Sequence, residues 1–432
     1  MEELKDFIVP LEKDDKLKSL VARRLKWPLE RIGLIRFLRR SVDARHSRKI
    51  QLVYHLEIYA AGEAPEPPPN VETIAREIAA WERPRGRAVV VGAGPAGLFA
   101  ALTLRRQGWE VDLVERGSAI AVRRRKIGRY FSRGELDGDD NVCFGLGGAG
   151  MYSDGKLTTR IKHPEVKDVL TALVAFGAPE DILYAHAPHV GSDVIRRVID
   201  AMAGHLARWG VRLRLNTRMT GLTIADGRVV GVEAVSTSDE KATRFAADAV
   251  LLGAGHGAGD VYALLRRLGV AMTPKPFAVG LRVQHPQAFV DRRQYGHFAG
   301  HPALETASYR LTASVERLER GVYSFCMCPG GYVAPAATDP DGIVVNGMSH
   351  RRRGSRWANS AVVATVDARD WGGDLFAPLD FRRGIERRAF DLARQAGATR
   401  EVPAALLASF LHGARLPFPA RTSCLSGAVE AD

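Results

Sequence analysis

Three glycines in Gly92-Ala93-Gly94-Pro95-Ala96-Gly97 stand at the spacing that lets a main chain wrap a pyrophosphate. Gly92 permits the tight turn out of a strand, Gly94 lets backbone approach the phosphates, and Gly97 lets the next helix pack closely on the sheet. With Pro95 and Ala96 they open a helix whose first N–H groups and dipole favour an anion. The apolar run Ala88-Val89-Val90-Val91 precedes them as a buried strand, and the helical pattern Leu98 to Gln107 follows. A second strand, Val111-Asp112-Leu113-Val114, ends at Glu115, roughly twenty residues past the glycines, where a carboxylate accepts from ribose hydroxyls. Arg116 is counted with it as a cofactor contact. Because that carboxylate repels a 2′-phosphate, FAD or NAD fits this site better than NADP.

The segment from Asn141 to Leu157 contains Gly145, Gly147, Gly148, Gly150 and Gly155. Successive glycines cost backbone entropy and fill no core, so such a run means that main chain passes close to something. A flavin or its ribityl phosphate explains it, with Gly147, Gly148 and Gly150 offering amides and Ser153, Asp154 and Lys156 offering side chains. A third pattern, Gly253-Ala254-Gly255-His256-Gly257-Ala258, resembles another dinucleotide turn, but no acid occurs between Asp260 and Asp291 to take its ribose. It is read as a strand leaving the sheet beneath the cofactor, with Gly253 and Gly255 allowing close approach. His256 is a catalytic candidate there, although a lone histidine is more often a structural residue.

Cys326 and Cys328 flank Met327 in a predicted strand and should face the same side. A redox or nucleophilic thiol is one reading. Neighbouring i,i+2 cysteines make a strained disulfide and nothing in the sequence lowers a thiol pKa, so small buried hydrophobes is the reading adopted. The 12 histidines and four cysteines form no ligand spacing, and no metal is expected. No Gly-x-Ser-x-Gly and no Walker loop occur either.

The elements that position these groups divide the chain. Residues 1–62 read as a small α+β unit, with a helix in Asp15 to Trp27 and strands in Ile32 to Val42 and Ile50 to Ile58. Residues 63–85 are a Pro-rich linker and a short helix, Val71 to Trp81. Residues 86–163 and 205–273 form a cofactor-binding sheet domain, and 164–204 and 274–432 a substrate domain. Helices are expected over Glu165 to Phe176 and Asp193 to Trp209. Strands are expected over Val211 to Asn216, Met219 to Ile224, Val229 to Ala234 and Ala249 to Leu252, then Phe277 to Val283, Tyr309 to Val315, Tyr323 to Met327 and Ile343 to Asn346.

At 432 residues, 46% hydrophobic and 26% charged, the composition is that of a soluble globular protein with two or three domains. Ala88 to Leu104 carries no charge, but it is shorter than the roughly 20 apolar residues of a spanning helix and Gly-Pro interrupts it. The acidic start and sparse cysteines point to a cytoplasmic protein. A net charge of +13 is spread along the chain, with tight runs at Arg123-Arg124-Arg125 and Arg351-Arg352-Arg353. It reads as a basic surface that attracts anionic cofactors, and nucleic acid is not an expected partner.

Together, Gly92 to Gly97 with Glu115, Phe144 to Leu157, Lys275 to Gly280, Ser324 to Gly331 and Asn346-Gly347-Met348-Ser349 resemble a family of bacterial FAD-dependent dehydrogenases of the glutathione-reductase-like FAD class. The resemblance runs from Ser41 to the last residues. It implies an α/β fold: a Rossmann-like FAD-binding parallel sheet, an inserted substrate domain of mixed sheet and a small N-terminal α+β domain. It also implies bound FAD moving hydride or electrons to or from an unidentified small molecule, with NADH or NADPH as the expected donor. Leu146 departs from the Glu usual in relatives. The family pattern continues beyond Asp432 into a segment that closes around the flavin, so the chain is expected to be truncated. The alternative is a truncated or degenerate flavin- or nucleotide-binding protein without turnover.

Overall fold

Ala88 to Val91 offer no polar side chain to water, and they form most of Arg87–Val91, an inner strand of a four-stranded parallel sheet with both faces covered. The strand order is Ala249–Leu252, Arg87–Val91, Glu110–Val114, Arg212–Arg214. Alternation sorts the side chains. Val90 and Leu113 pack on one face against Leu98 and Leu102 of the helix Pro95–Arg106 and against Met202 and Leu206 of the helix Ser192–Arg208. Val89, Val91 and Val114 pack on the other against Met219, Val232 and Leu264. That second layer is an antiparallel sheet of Thr217–Ala225, Arg228–Ser236 and Ala242–Ala246. Asp226 and Gly227, with φ of 50° and 72°, make its first turn, as a two-residue hairpin demands. The structure, a computed structural model, describes residues 1–432 except Ser47, Ala414, Arg415, Ala420 and Asp432. The reading of the chain end at Asp432 lies outside the described residues.

A separate antiparallel sheet runs Phe277–Pro286, Trp357–Val366, Arg320–Cys328, Thr312–Val315. Trp357–Val366, an inner strand of this sheet, was absent from the sequence expectations because it carries the buried polar residues Asn359 and Ser360 where alternation demands apolar ones. The helix Ala377–Gln395 was likewise not anticipated.

The N-terminal sheet has the order Glu2–Pro10, Gln51–Ala60, Ile32–Asp43. Glu2–Pro10 is an edge strand in which only Val9 is buried, so its charged face hides its strand character. Leu52, Leu56 and Ile58 share one core with Val290, Tyr295, Met327 and Ala358 of the later sheet region. Arg40 adds polar ties, its Nη2 donating to the Ala303 carbonyl at 2.7 Å and its amide to the Tyr184 carbonyl at 2.8 Å. Between this unit and the parallel sheet, Asn70 caps the helix Val71–Ala79 by accepting from the Thr73 amide at 2.9 Å. No described helix is long and apolar enough to cross a membrane.

Candidate functional site

The glycine turn is built as its spacing demands. Gly92 has φ of 96° and lies so close to Gly253 that a β-carbon would strike the Gly253 carbonyl. A β-carbon at Gly97 would drive into the Gly92 carbonyl. Gly94 differs. It is the N-cap of the helix Pro95–Arg106, and the nearest atom to a β-carbon there would be the Gly148 Cα, at 3.9 Å. The second glycine run therefore lies across the first. The Gly147 amide donates to the Ala93 carbonyl at 2.9 Å, and β-carbons at Gly148 and Gly150 would meet Gly94 Cα at 3.0 Å and Pro95 Cγ at 3.8 Å. Gly147 and Gly148 hold φ of 91° and 60°, so the apposition depends on glycine.

Glu115 is 5% exposed at the end of its strand. Its Oε2 accepts from the Ala93 amide at 2.8 Å, and its Oε1 from the Gly117 amide at 2.9 Å and the Gly145 amide at 2.8 Å. One carboxylate thus ties both glycine loops and its own turn. Arg116 pairs with Asp139 at 2.7 Å and lies over the Phe144 ring at 4.3 Å.

Sequence reading placed Arg123 in a charge run. The structure buries it instead, 1% exposed, with no described carboxylate in hydrogen-bond contact. Its guanidinium donates to five carbonyls, those of Asn141, Val142, Gly145, Leu146 and Gly148. It folds the second glycine run around itself. The legible signal was its place four residues before Ile127, on the one buried stripe of the helix Ile120–Arg133.

A second constellation lies farther along the chain. Asp154 is fully buried; it accepts from the Ser349 hydroxyl, from Arg353 Nη2 at 2.7 Å, and pairs with Lys156 Nζ at 3.2 Å. Burial opposes its charge, but Arg353 and Lys156 outweigh that and bring its carboxyl down to about 2. The same Lys156 Nζ stands 3.9 Å from Cys326 Sγ and 3.8 Å from Cys328 Sγ. The expectation that nothing lowers a thiol pKa is therefore corrected. Its neighbour Cys328, against the penalty of burial and with help from Lys156 and Arg282, draws the Cys326 thiol well down, while Cys328 itself is pushed up by Cys326 and by burial. Linear sequence could not show this, because Lys156 and the thiols are far apart along the chain. Nor do the cysteines simply alternate: a bulge lies between Phe325 and Cys328, and Cys326 has φ of 47°.

The remaining candidates lie as follows. Ser153 Oγ donates to the Gly150 carbonyl at 2.9 Å and accepts from the Gly155 amide at 3.0 Å. Gly255 has φ of 79° in open space, and the neighbouring His256 is exposed.

Residues 276–431 match the family described as FAD-dependent protein, C-terminal domain-like, and residues 90–132 match the NAD(P)-binding Rossmann-like domain. Residues 1–59 match a domain of unknown function. An uncharacterized protein of Clostridium beijerinckii is 37% identical over 417 residues, which cover 93% of this chain and 76% of that one. The chain belongs to this FAD-dependent oxidoreductase family. Partial relatives of the FAD-dependent chain include a digeranylgeranylglycerophospholipid reductase of Methanosarcina acetivorans, 30% identical over 36% of this chain and 35% of that one. FixC of Escherichia coli is 27% identical over 48% and 45%. The cofactor is FAD, and the glycine cradle suits it. Open backbone at Gly94 faces Gly148 at a helix start, and any β-carbon on Gly148 would crowd that space.

Proposed function

We propose that this oxidoreductase is a dehydrogenase of the glutathione-reductase-like class that holds FAD across the two apposed glycine runs and exchanges hydride or electrons with a small molecule, NADH or NADPH being the donor. Gly92, Gly94, Pro95, Ala96 and Gly97 would hold the pyrophosphate, with Gly147, Gly148 and Gly150 on its far side and Gly253 and Gly255 beneath. An ionised carboxylate offers about four lone-pair positions. Three of those on Glu115 are taken by amides, which leaves one for a ribose hydroxyl. FAD supplies the redox chemistry; the chain binds it, orients it and excludes water. Lys156 stands at the thiol pair and Asp154 pairs with Lys156; with Ser153 they would stand at the inner face of the cofactor.

The single observation behind this reading is the Gly94–Gly148 apposition at the start of the helix Pro95–Arg106. Gly94→Val tests it. The protein has room for a β-carbon at Gly94, where φ is −74°, so the variant should fold with an unchanged circular dichroism spectrum. The pyrophosphate would lose its place, and FAD affinity by calorimetric titration should drop at least about a hundredfold, equivalent to ~3 kcal/mol. Equal FAD binding by wild type and variant would place the cofactor elsewhere. A yellow spectrum bleached by NADH or NADPH and restored by oxygen would mark turnover, and a binding-only protein would stay unbleached.

A further inference from the structure

The bulge in Arg320–Cys328 puts two thiols on one ammonium, and their surroundings differ. Cys328 is wholly buried, and its Sγ–H donates to the Cys326 carbonyl at 3.3 Å. With an acceptor of its own, it keeps its proton. Cys326 is partly exposed, and Arg282 Nη1 lies 3.3 Å from its carbonyl, adding a second cation beside the sulfur already facing Lys156. Asp154 is the opposing charge, but it is spent on Ser349, Arg353 and Lys156, so its effect is to fix the ammonium in place. A cysteine with φ of 47° is a disfavoured backbone state, and such states persist where surrounding structure aims a side chain.

We propose that Cys326 is a nucleophilic thiolate site, with Lys156 as its counter-ion and Cys328 as a protonated partner, and that it takes a soft carbon or sulfur electrophile. In the step, the Cys326 sulfur's electron pair forms an S–C or S–S bond while the leaving group departs with its own pair. Lys156 and Cys328 keep their protons. The site does not depend on the cofactor reading: a chain that takes up no FAD can still label at Cys326.

The test is labelling of the purified full chain, with and without FAD, by iodoacetamide as the carbon probe and dithiodipyridine as the sulfur probe. Modified peptides are read by mass spectrometry across pH 6 to 8.5. Cys326 should label first with at least one probe, at a rate that changes less than about threefold over that range. Cys143 and Cys424, whose thiols burial pushes up, should lag and gain about tenfold per pH unit. Lys156→Gln should lower the Cys326 rate at pH 6 at least about tenfold and restore an ordinary pH rise. Should that variant misfold, the wild-type profile decides alone. A Cys326 rate climbing tenfold per pH unit in wild type, or Cys143 or Cys424 labelling first with both probes, would overturn the assignment.

Discussion

The clearest single-residue dependence is on Arg123, because one guanidinium supplies donors to five carbonyls of the second glycine run. Arg123→Met should cost on the order of 3–5 kcal/mol in urea unfolding, since it leaves buried carbonyls unpaired, and should weaken FAD binding with it. Arg123→Lys brings three donors in place of five and should recover only part of both losses. Equal stability of Arg123→Met and wild type would remove this residue from the architecture of the site. Asp154 gives the pH counterpart. Its folded pKa of about 2 lies below its ordinary 3.8, so its contribution is present above pH 3.8 and is lost as pH falls through 2. The shift corresponds to about 2 kcal/mol. Asp154→Asn should therefore be less stable than wild type by that order at pH 7, with the gap closing toward pH 2; a gap independent of pH would show a purely steric role.

At the scale of elements, the strand–glycine–helix–strand unit was legible because each of its signals is local: apolar runs, glycine spacing and a closing acid fall within one stretch of chain. The role of Glu115 was legible only as an acid at that place, since its three amide partners come from separate turns. The thiol site was not legible, because it needs Lys156 and Asp154 brought to Arg320–Cys328 by tertiary structure. Trp357–Val366 was hidden for a related reason: buried Asn359 accepts from Arg282 Nη1 at 2.7 Å, and a buried polar pair erases the strand's alternation. Two glycines separate packing from propensity within the cofactor unit. Gly97→Ala places a β-carbon into the Gly92 carbonyl, and backbone on both sides must move, so a loss of about 2–4 kcal/mol is expected in denaturant unfolding. Gly128 sits exposed in Ile120–Arg133 with nothing within 4 Å of a β-carbon, so Gly128→Ala should stabilise by about 0.5–1 kcal/mol. Similar effects at the two positions would mean that helix and sheet are not in the close contact described.

At the scale of the molecule, the N-terminal unit that looks detachable in sequence shares its core with the later sheet. Leu52, Leu56 and Ile58 contribute to the same buried cluster as Val290, Tyr295, Met327 and Ala358, and Phe37 stacks on Tyr184 at 5.3 Å. The segment joining it to the parallel sheet, residues 61–70, has no regular secondary structure and is largely exposed. Covalent connection and physical attachment can therefore be tested apart. Cleavage by a Glu-specific protease after Glu63, which is 53% exposed at its side chain, should nick this segment first. The two pieces should then co-elute on gel filtration at the mass of the intact chain, and separate only in denaturant, because parting them would return a continuous apolar core to water. Release of a folded N-terminal fragment under native conditions would contradict the shared core. Met327 lies between Cys326 and Cys328 and is buried in that core. Held by Met327, the bulge that carries the thiols is braced by the N-terminal sheet, so the nicked protein, its pieces still associated, should keep the fast labelling of Cys326.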